Sequence, residues 1–293
     1  MRKLVLIAIL LALSPVGAEA KTLDIVASFS VLGEIVQEVA GDKAEVHTLV
    51  GPDGDAHSFE PTPNDAGTLG RADLVIVNGL GLEKWMERLI EASGYKGTVA
   101  VASRGVHPRL MEAEGTGVTD PHAWQDLANG RLYVRNIADA LAAADPADAD
   151  YFNARAQRYD ATLAALDAWV RKEIARVPAA KRRVITTHDA FGYFGAAYGV
   201  TFLAPEGIST DAEPTAGGLA KLIDQIRRER IKALFLENIT SSQLMQTIAQ
   251  ETGVPLGGAL FSDALSPPGG PAPTYVDMFK NNLPKLVAGM QKN

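Results

Sequence analysis

Residues 147–177 read "ADADYFNARAQRYDATLAALDAWVRKEIARV", a run without glycine or proline in a chain that holds 27 glycines and 16 prolines. Within it Phe152, Tyr159, Leu163, Leu166, Val170 and Ile174 recur at helical spacing, which lays one apolar stripe along a continuous helix. Asp145 supplies a cap ahead of a first-turn proline, Pro146, and Pro178 stops the run. A helix of about 30 residues spans roughly 45 Å at 1.5 Å per residue. A rod of that length can bridge two bodies, and the rest of the chain divides around it.

On both sides, short β-branched runs alternate with amphipathic helical stretches, the pattern of parallel α/β structure. In the first half the strand candidates are "LDIVASF" (23–29), "AEVHTLV" (44–50), "DLVIVNG" (73–79) and "TVAVAS" (98–103). In the second half they are "RVITTH" (183–188), "VTFLA" (200–204), "KALFLE" (232–237) and "PLGGALF" (255–261). The expected fold is therefore α/β: two lobes, each with a mostly parallel four-stranded sheet, joined by one long rigid helix. The divisions fall at 21–145, 146–178 and 179–293. Residues 104–120, "RGVHPRLMEAEGTGVTD", lack periodicity and read as a mobile surface loop; "SPPGGPAP" (266–273) reads as a second, stiffer one.

Ahead of the first lobe, "MRKLVLIAILLALSPVGAEA" (1–20) has Arg2 and Lys3, an apolar core from Leu4 to Leu13 and small residues at Ala18 and Ala20. This is a secretory signal layout, with Lys21 as the expected mature start. The apolar core falls well short of the roughly 20 residues of a membrane-spanning helix. The sequence has no cysteine, which excludes disulfides and an amino-terminal lipid on that residue, so a free, monomeric periplasmic protein is expected. Without residues 1–20 the charge is −8, from 26 basic and 34 acidic residues. An acidic balance argues against nucleic acid and anionic membranes as partners.

Ligands in open α/β sheets collect beyond the carboxyl ends of the strands. Four such places carry titratable groups: His57 in "GPDGDAHSFEPTP", His122 in "TDPHAWQDL", His188 at the end of "RVITTH" and Asp263 in "SDALS". They lie 65, 66 and 75 residues apart, two in each half, so each arrives on its own loop. Three imidazoles and a carboxylate make a four-coordinate set suited to zinc, at about 2.0–2.2 Å from each donor. His47, inside a strand pattern, reads as structural or exposed, and His107 as solvated. "NGLGLE" (78–83) is a strand-to-helix turn rather than a dinucleotide fingerprint. "KRR" (181–183) and "RRERIK" (227–232) read as solvated helix ends, Trp85 and Trp169 as core, and Trp124 as a candidate wall of the site.

Taken in order, "DAHSFEPTP", "DPHAW", "THDAFGYF", "GISTDAEPTAGGLAKLI" (207–223) and "SDALS" resemble the metal-binding solute receptors of ABC importers, the zinc and manganese group with a rigid linking helix. The resemblance covers nearly the whole mature chain. It implies metal ligation by His57, His122, His188 and Asp263. It also favours zinc over manganese, because zinc receptors look like "HDA" at the third motif where manganese receptors look like "EGA". The sequence departs from that family in two ways: the loop before His122 has only His107 where many zinc receptors are histidine-rich, and "SDALS" stands where "DPLG" is frequent.

The function this implies is capture of Zn²⁺ between the lobes and delivery to an inner-membrane ABC permease, without catalysis; a periplasmic metal-donor protein is a further partner. Manganese is the alternative cargo. The rival class is a zinc hydrolase with a three-histidine site, an open water position and a carboxylate base such as Glu60 or Asp189. Ligation by Asp263 separates the two. Glu60, Asp120, Asp189 and Glu237 are the candidates for orienting the imidazoles. A continuous joining helix limits wide closure, so loop ordering around the ion is expected in its place.

Overall fold

The computed structural model describes residues 22–113, 116–211 and 214–293. The expected signal segment, 1–20, and the expected mature start, Lys21, lie outside the described residues. The chain opens with β1 (Leu23–Phe29), α1 (Ser30–Ala40), β2 (Ala44–Val50), α2 (Pro63–Leu69), β3 (Leu74–Val77), α3 (Met86–Ser93) and β4 (Thr98–Val101). The four strands form one parallel sheet in the order β2-β1-β3-β4. Apart from Asp24, β1 is buried along its length, and all of β3 is buried; this is why both read as continuous apolar runs rather than alternating ones. Thr62 and Asp65 close a reciprocal capping box on α2, with Pro63 in its first turn.

Within residues 104–120 the structure has paired strands at 109–113 and 116–120 where an aperiodic loop was expected. Arg109–Ala113 (β5) and Thr116–Asp120 (β6) pair antiparallel, Arg109 opposite Asp120 and Leu110 opposite Thr119. Arg, Leu, Met, Glu and Ala carry little strand signal of their own, and the pairing is supplied by β6, whose Val118 and Thr119 are β-branched. The backbone N–H of Arg109 donates to Tyr193 Oη at 3.0 Å, fixing the base of the hairpin against the second half of the chain.

Next come α4 (Leu127–Ala144) and α5 (Ala149–Ala175). The side chain of Asp145 accepts from Ala147 N in a short 3-10 turn that leads into α5. Every residue of the stripe read from the sequence is buried, with Ala156 added. The amino-terminal half of α5 is tied to the first lobe: Arg155 Nε donates to Glu38 O at 2.8 Å, and Arg131 grips Asp160 with two bonds of 2.9 and 2.8 Å.

The second half contributes β7 (Arg183–Ile185), α6 (Gly192–Tyr198), β8 (Thr201–Leu203), α7 (Ala216–Glu229), β9 (Leu236–Glu237), α8 (Ser242–Thr252), β10 (Ala259–Leu260) and α9 (Tyr275–Met290). Its four strands are parallel but much shorter than their sequence runs. β7 pairs with β8 and β9 with β10, and a bridge from Ile185 to Leu234 joins the two pairs. The run 232–237 is cut short because Asn293 Oδ1 takes the N–H groups of Lys232 and Ala233. In 255–261, Gly258 at φ +102° and Gly257 against the Phe235 ring break the extended pattern before β10. The carboxyl-terminal half of α5 is tied here: Tyr198 Oη donates to Asp167 Oδ1 at 2.8 Å and Arg171 Nη1 to Ala197 O at 2.9 Å. One hydrophobic core runs from the first sheet through α4 and α5 to α9, while a smaller one lies under α7 and α8. No helix among the described residues is long and apolar enough to cross a membrane.

Where α1, α5 and α9 meet, Glu34 Oε2 accepts from Tyr159 Oη at 3.1 Å and from Tyr275 N at 3.2 Å. Burial pushes this carboxyl up to about 7, aided by Glu38 and Asp277 and opposed by the two donors. The folded state thus binds the proton more tightly than the unfolded chain, and stability falls as pH rises from about 4.5 through 7. Glu34→Gln, which keeps the acceptor, is expected to match the parent at pH 4.5 and exceed it by about 1–3 kcal/mol at pH 8 in urea unfolding. A difference that does not vary with pH would refute the assignment.

Candidate metal centre

Each of the four residues singled out from the sequence sits just past a strand end or the hairpin. His57 lies in the turn after β2, where Asp55 Oδ1 accepts from His57 N at 2.9 Å and Trp85 Nε1 donates to Ala56 O at 2.9 Å. His122 follows β6, and Asp120 uses the same local device, its Oδ1 accepting from His122 N at 3.0 Å. His188 ends the segment after β7, its N–H donating to Glu237 Oε1 at 2.9 Å. Asp263 follows β10. Asn282 brackets Phe261 through both its N–H and its carbonyl, and Trp124 and Gln125 donate to Ser262 O at 2.9 and 2.8 Å.

These loops bring the four side chains together, all buried. Asp263 Oδ2 lies 3.2, 3.5 and 3.1 Å from the Nε2 atoms of His57, His122 and His188, and the Nε2 atoms of His57 and His122 are 3.2 Å apart. Donors about 2.0–2.1 Å from a common centre in tetrahedral geometry are themselves about 3.3–3.4 Å apart. The four groups could therefore hold one small divalent ion. The second oxygen of Asp263 has no hydrogen-bond partner although it is buried.

Two of the candidate outer carboxylates meet imidazole rings of the cluster. Asp120 Oδ1 is 2.8 Å from His122 Nδ1, and Glu237 Oε2 is 2.8 Å from His188 Nδ1. The Asp120 contact is a hydrogen bond that turns the His122 Nε2 lone pair toward the centre, whereas the Glu237 contact is a close ionic approach in which His188 Nδ1 and Glu237 Oε2 lack aligned hydrogen-bond geometry. Glu60 does not take that part: it is exposed and lines a separate cavity of about 820 Å³ with Phe59, Trp85 and Arg88. Asp189 is half-buried and its backbone N–H donates to Gly207 O. Trp124 is fully buried and edge-on to His122 at 5.3 Å, so it does wall the site. Trp85 is buried and Trp169 packs on the core. His107 is exposed, and His47 stands near Glu45 on the edge strand β2 and Asp24 on the adjoining β1. The sequence reading missed Asp55, Gln125, Ser262 and Asn282. The repeated D-x-H in "DAH" and "DPH" is the signal that marks Asp55 alongside Asp120.

Without an ion the cluster holds protons. Burial lowers His122, but Asp263 and Asp120 outweigh it and push this imidazole up to about 9. His188 is likewise raised well above its ordinary value, Glu237 and Asp263 overcoming the effect of burial. Burial raises Asp263, yet His122 and His188 hold its carboxyl well below the usual range. Burial and the nearby Asp120 raise Asp189.

Comparison with known proteins places this geometry in context. The model of a family described as "Zinc-uptake complex component A periplasmic" matches residues 25–289. A manganese-binding lipoprotein of Halalkalibacterium halodurans is 32% identical over 274 residues, covering 94% of this chain and 90% of its own. The iron-binding protein YfeA of Yersinia pestis is 33% identical over 271 residues, covering 92% and 87%. Among solved structures, the periplasmic zinc-binding protein TroA from Treponema pallidum superposes with a TM-score of 0.87 at 30% identity, covering 92% of this chain and 99% of that one.

Because the folded, ion-free protein binds protons at His122 and His188 more tightly than the unfolded chain does, that stabilisation is complete below about pH 6.5 and is lost as pH rises through about 9. The melting temperature of chelator-treated protein is expected to fall between pH 6.5 and 9.5, and to fall less in His122→Asn. Parallel curves for the two proteins would show that no such coupling exists.

Proposed function

The chain belongs to the family of periplasmic metal-binding receptors of ABC importers, and on that premise we propose that its cargo is Zn²⁺, held by His57, His122, His188 and Asp263. The observation that carries this reading is the approach of one carboxylate oxygen to three imidazole nitrogens at 3.1–3.5 Å. Relatives are named for manganese, iron and zinc, so the choice among metals rests on the donors. Three borderline nitrogens and one oxygen favour zinc, whereas manganese prefers more oxygen.

The proposed working parts are lobes 21–145 and 179–293, each contributing two ligands, with 146–178 as the joining segment. Residues 1–20 direct export, and a chain without cysteine is read as free in the periplasm. With Asp263 in the fourth position the donor set is complete and leaves no open place for a water, which separates this reading from a hydrolase. The loaded receptor meets its permease, and release requires the four loops to part.

The deciding experiment is metal analysis of protein purified without added metal, followed by competition among zinc, manganese and iron; preference for manganese or iron would overturn the zinc assignment. His188→Ala is expected to weaken zinc binding by orders of magnitude, and calorimetry giving parental affinity would remove it from the ligand set. His188→Glu is expected to raise manganese affinity relative to zinc in the same competition. Since zinc must displace protons from His122 and His188, apparent affinity is expected to rise steeply from pH 6 to 8, approaching about a hundredfold per unit for two protons. Calorimetry in buffers of different ionisation enthalpy counts those protons directly, and a count of zero contradicts the mechanism.

A further inference from the structure

We propose that Arg109, on the hairpin rather than in the ligand shell, is a positioning residue for the metal centre, acting on His122 through Asp120. This rests on the reading of His122 as a ligand. Asp120 is completely buried, and its two oxygens are differently placed. Oδ1 is taken by the backbone N–H and ring of His122, while Oδ2 faces Arg109 Nε at 3.5 Å. Neither Oδ2 nor that Nε has a hydrogen-bond partner, although both are buried. Two orphaned groups of opposite charge, facing each other just outside bonding distance, complete one another after a shift of a few tenths of an ångström.

The surroundings hold this pair in register with the second lobe. Tyr193 Oη accepts from Arg109 N at 3.0 Å and donates to Asp120 O at 3.3 Å, and its ring lies 5.6 Å from the guanidinium. Gly192 begins α6 four residues past His188. A Cβ there would stand 2.6 Å from Asp120 Oδ2 and 3.2 Å from Arg109 Nε, so a side chain at 192 would wedge the same contact. The cluster therefore joins the hairpin base, the carboxylate that orients one ligand and the start of a helix that follows another. The arginine also supplies a cation where Asp120, Asp189 and Asp263 gather around the histidines. Without it, Asp120 keeps only His122 as a partner, Oδ2 is left buried with no cation facing it, and the carboxylate is free to turn and take the His122 ring with it.

The test compares Arg109→Leu, Arg109→Lys, Gly192→Ala and His122→Ala. The readouts are stopped-flow zinc release to a chelator and the visible absorption of the cobalt-loaded protein, which reports ligand geometry. Arg109→Leu is expected to release zinc about 10–100 times faster and to alter the cobalt bands, with the circular dichroism unchanged. Arg109→Lys is expected to recover most of the retention, and Gly192→Ala to move release in the same direction as the leucine variant. Parental release and cobalt bands in Arg109→Leu overturn the proposal. If that variant does not fold, parental behaviour in Gly192→Ala overturns it. His122→Ala separates the two levels of argument: parental binding there defeats the ligand reading itself, whereas lost binding there with an unaffected Arg109→Leu defeats only the role of Arg109.

Discussion

Asp263 Oδ2, within 3.5 Å of three imidazole nitrogens, is the constraint around which the molecule is arranged. A buried carboxylate is costly unless opposite charge surrounds it, and three neutral imidazoles beside it do not supply that charge by themselves. Protons or a divalent ion can supply that charge, and the two compete for the same lone pairs. On the proposed reading, capture of the metal replaces the charge of the protons with that of the ion.

Such a centre is useful only if its donors cannot drift apart. Each is held by its own turn and again by a neighbour remote in sequence: Trp124 and Gln125 bind the backbone beside Asp263, while Asp120 and Glu237 hold two of the rings. Helix α5 sets the distance between the contributing sheets because it is bonded to α1 and α4 near one end and to α6 near the other. A rod pinned in this way leaves the loops as the natural place for opening, and those loops carry the four residues of the cluster.

The family's relatives are named for several metals while sharing this architecture. The scaffold therefore does not select the cargo, and selection falls to the donor atoms and to what presses on them. A change such as glutamate for histidine alters hardness and charge without disturbing the strands, since position 188 lies past the end of β7.

Some of this was legible in the residues themselves. The stripe from Phe152 to Ile174 and the four runs of the first sheet follow from periodicity, a local property, and the place of His57, His122, His188 and Asp263 beyond strand ends singled them out as candidates. The sequence also set His47, inside a strand pattern, apart from His122, and the fold places the first on the edge strand β2 and the second in the buried cluster. The hairpin at 109–120, the shortening of the later strands and the choice of Asp120 and Glu237 over Glu60 were decided by tertiary structure. So were the proton affinities of the histidines. These depend on separations of about 3 Å between groups as many as 206 residues apart, distances that exist only after both sheets, the joining helix and the loops have packed.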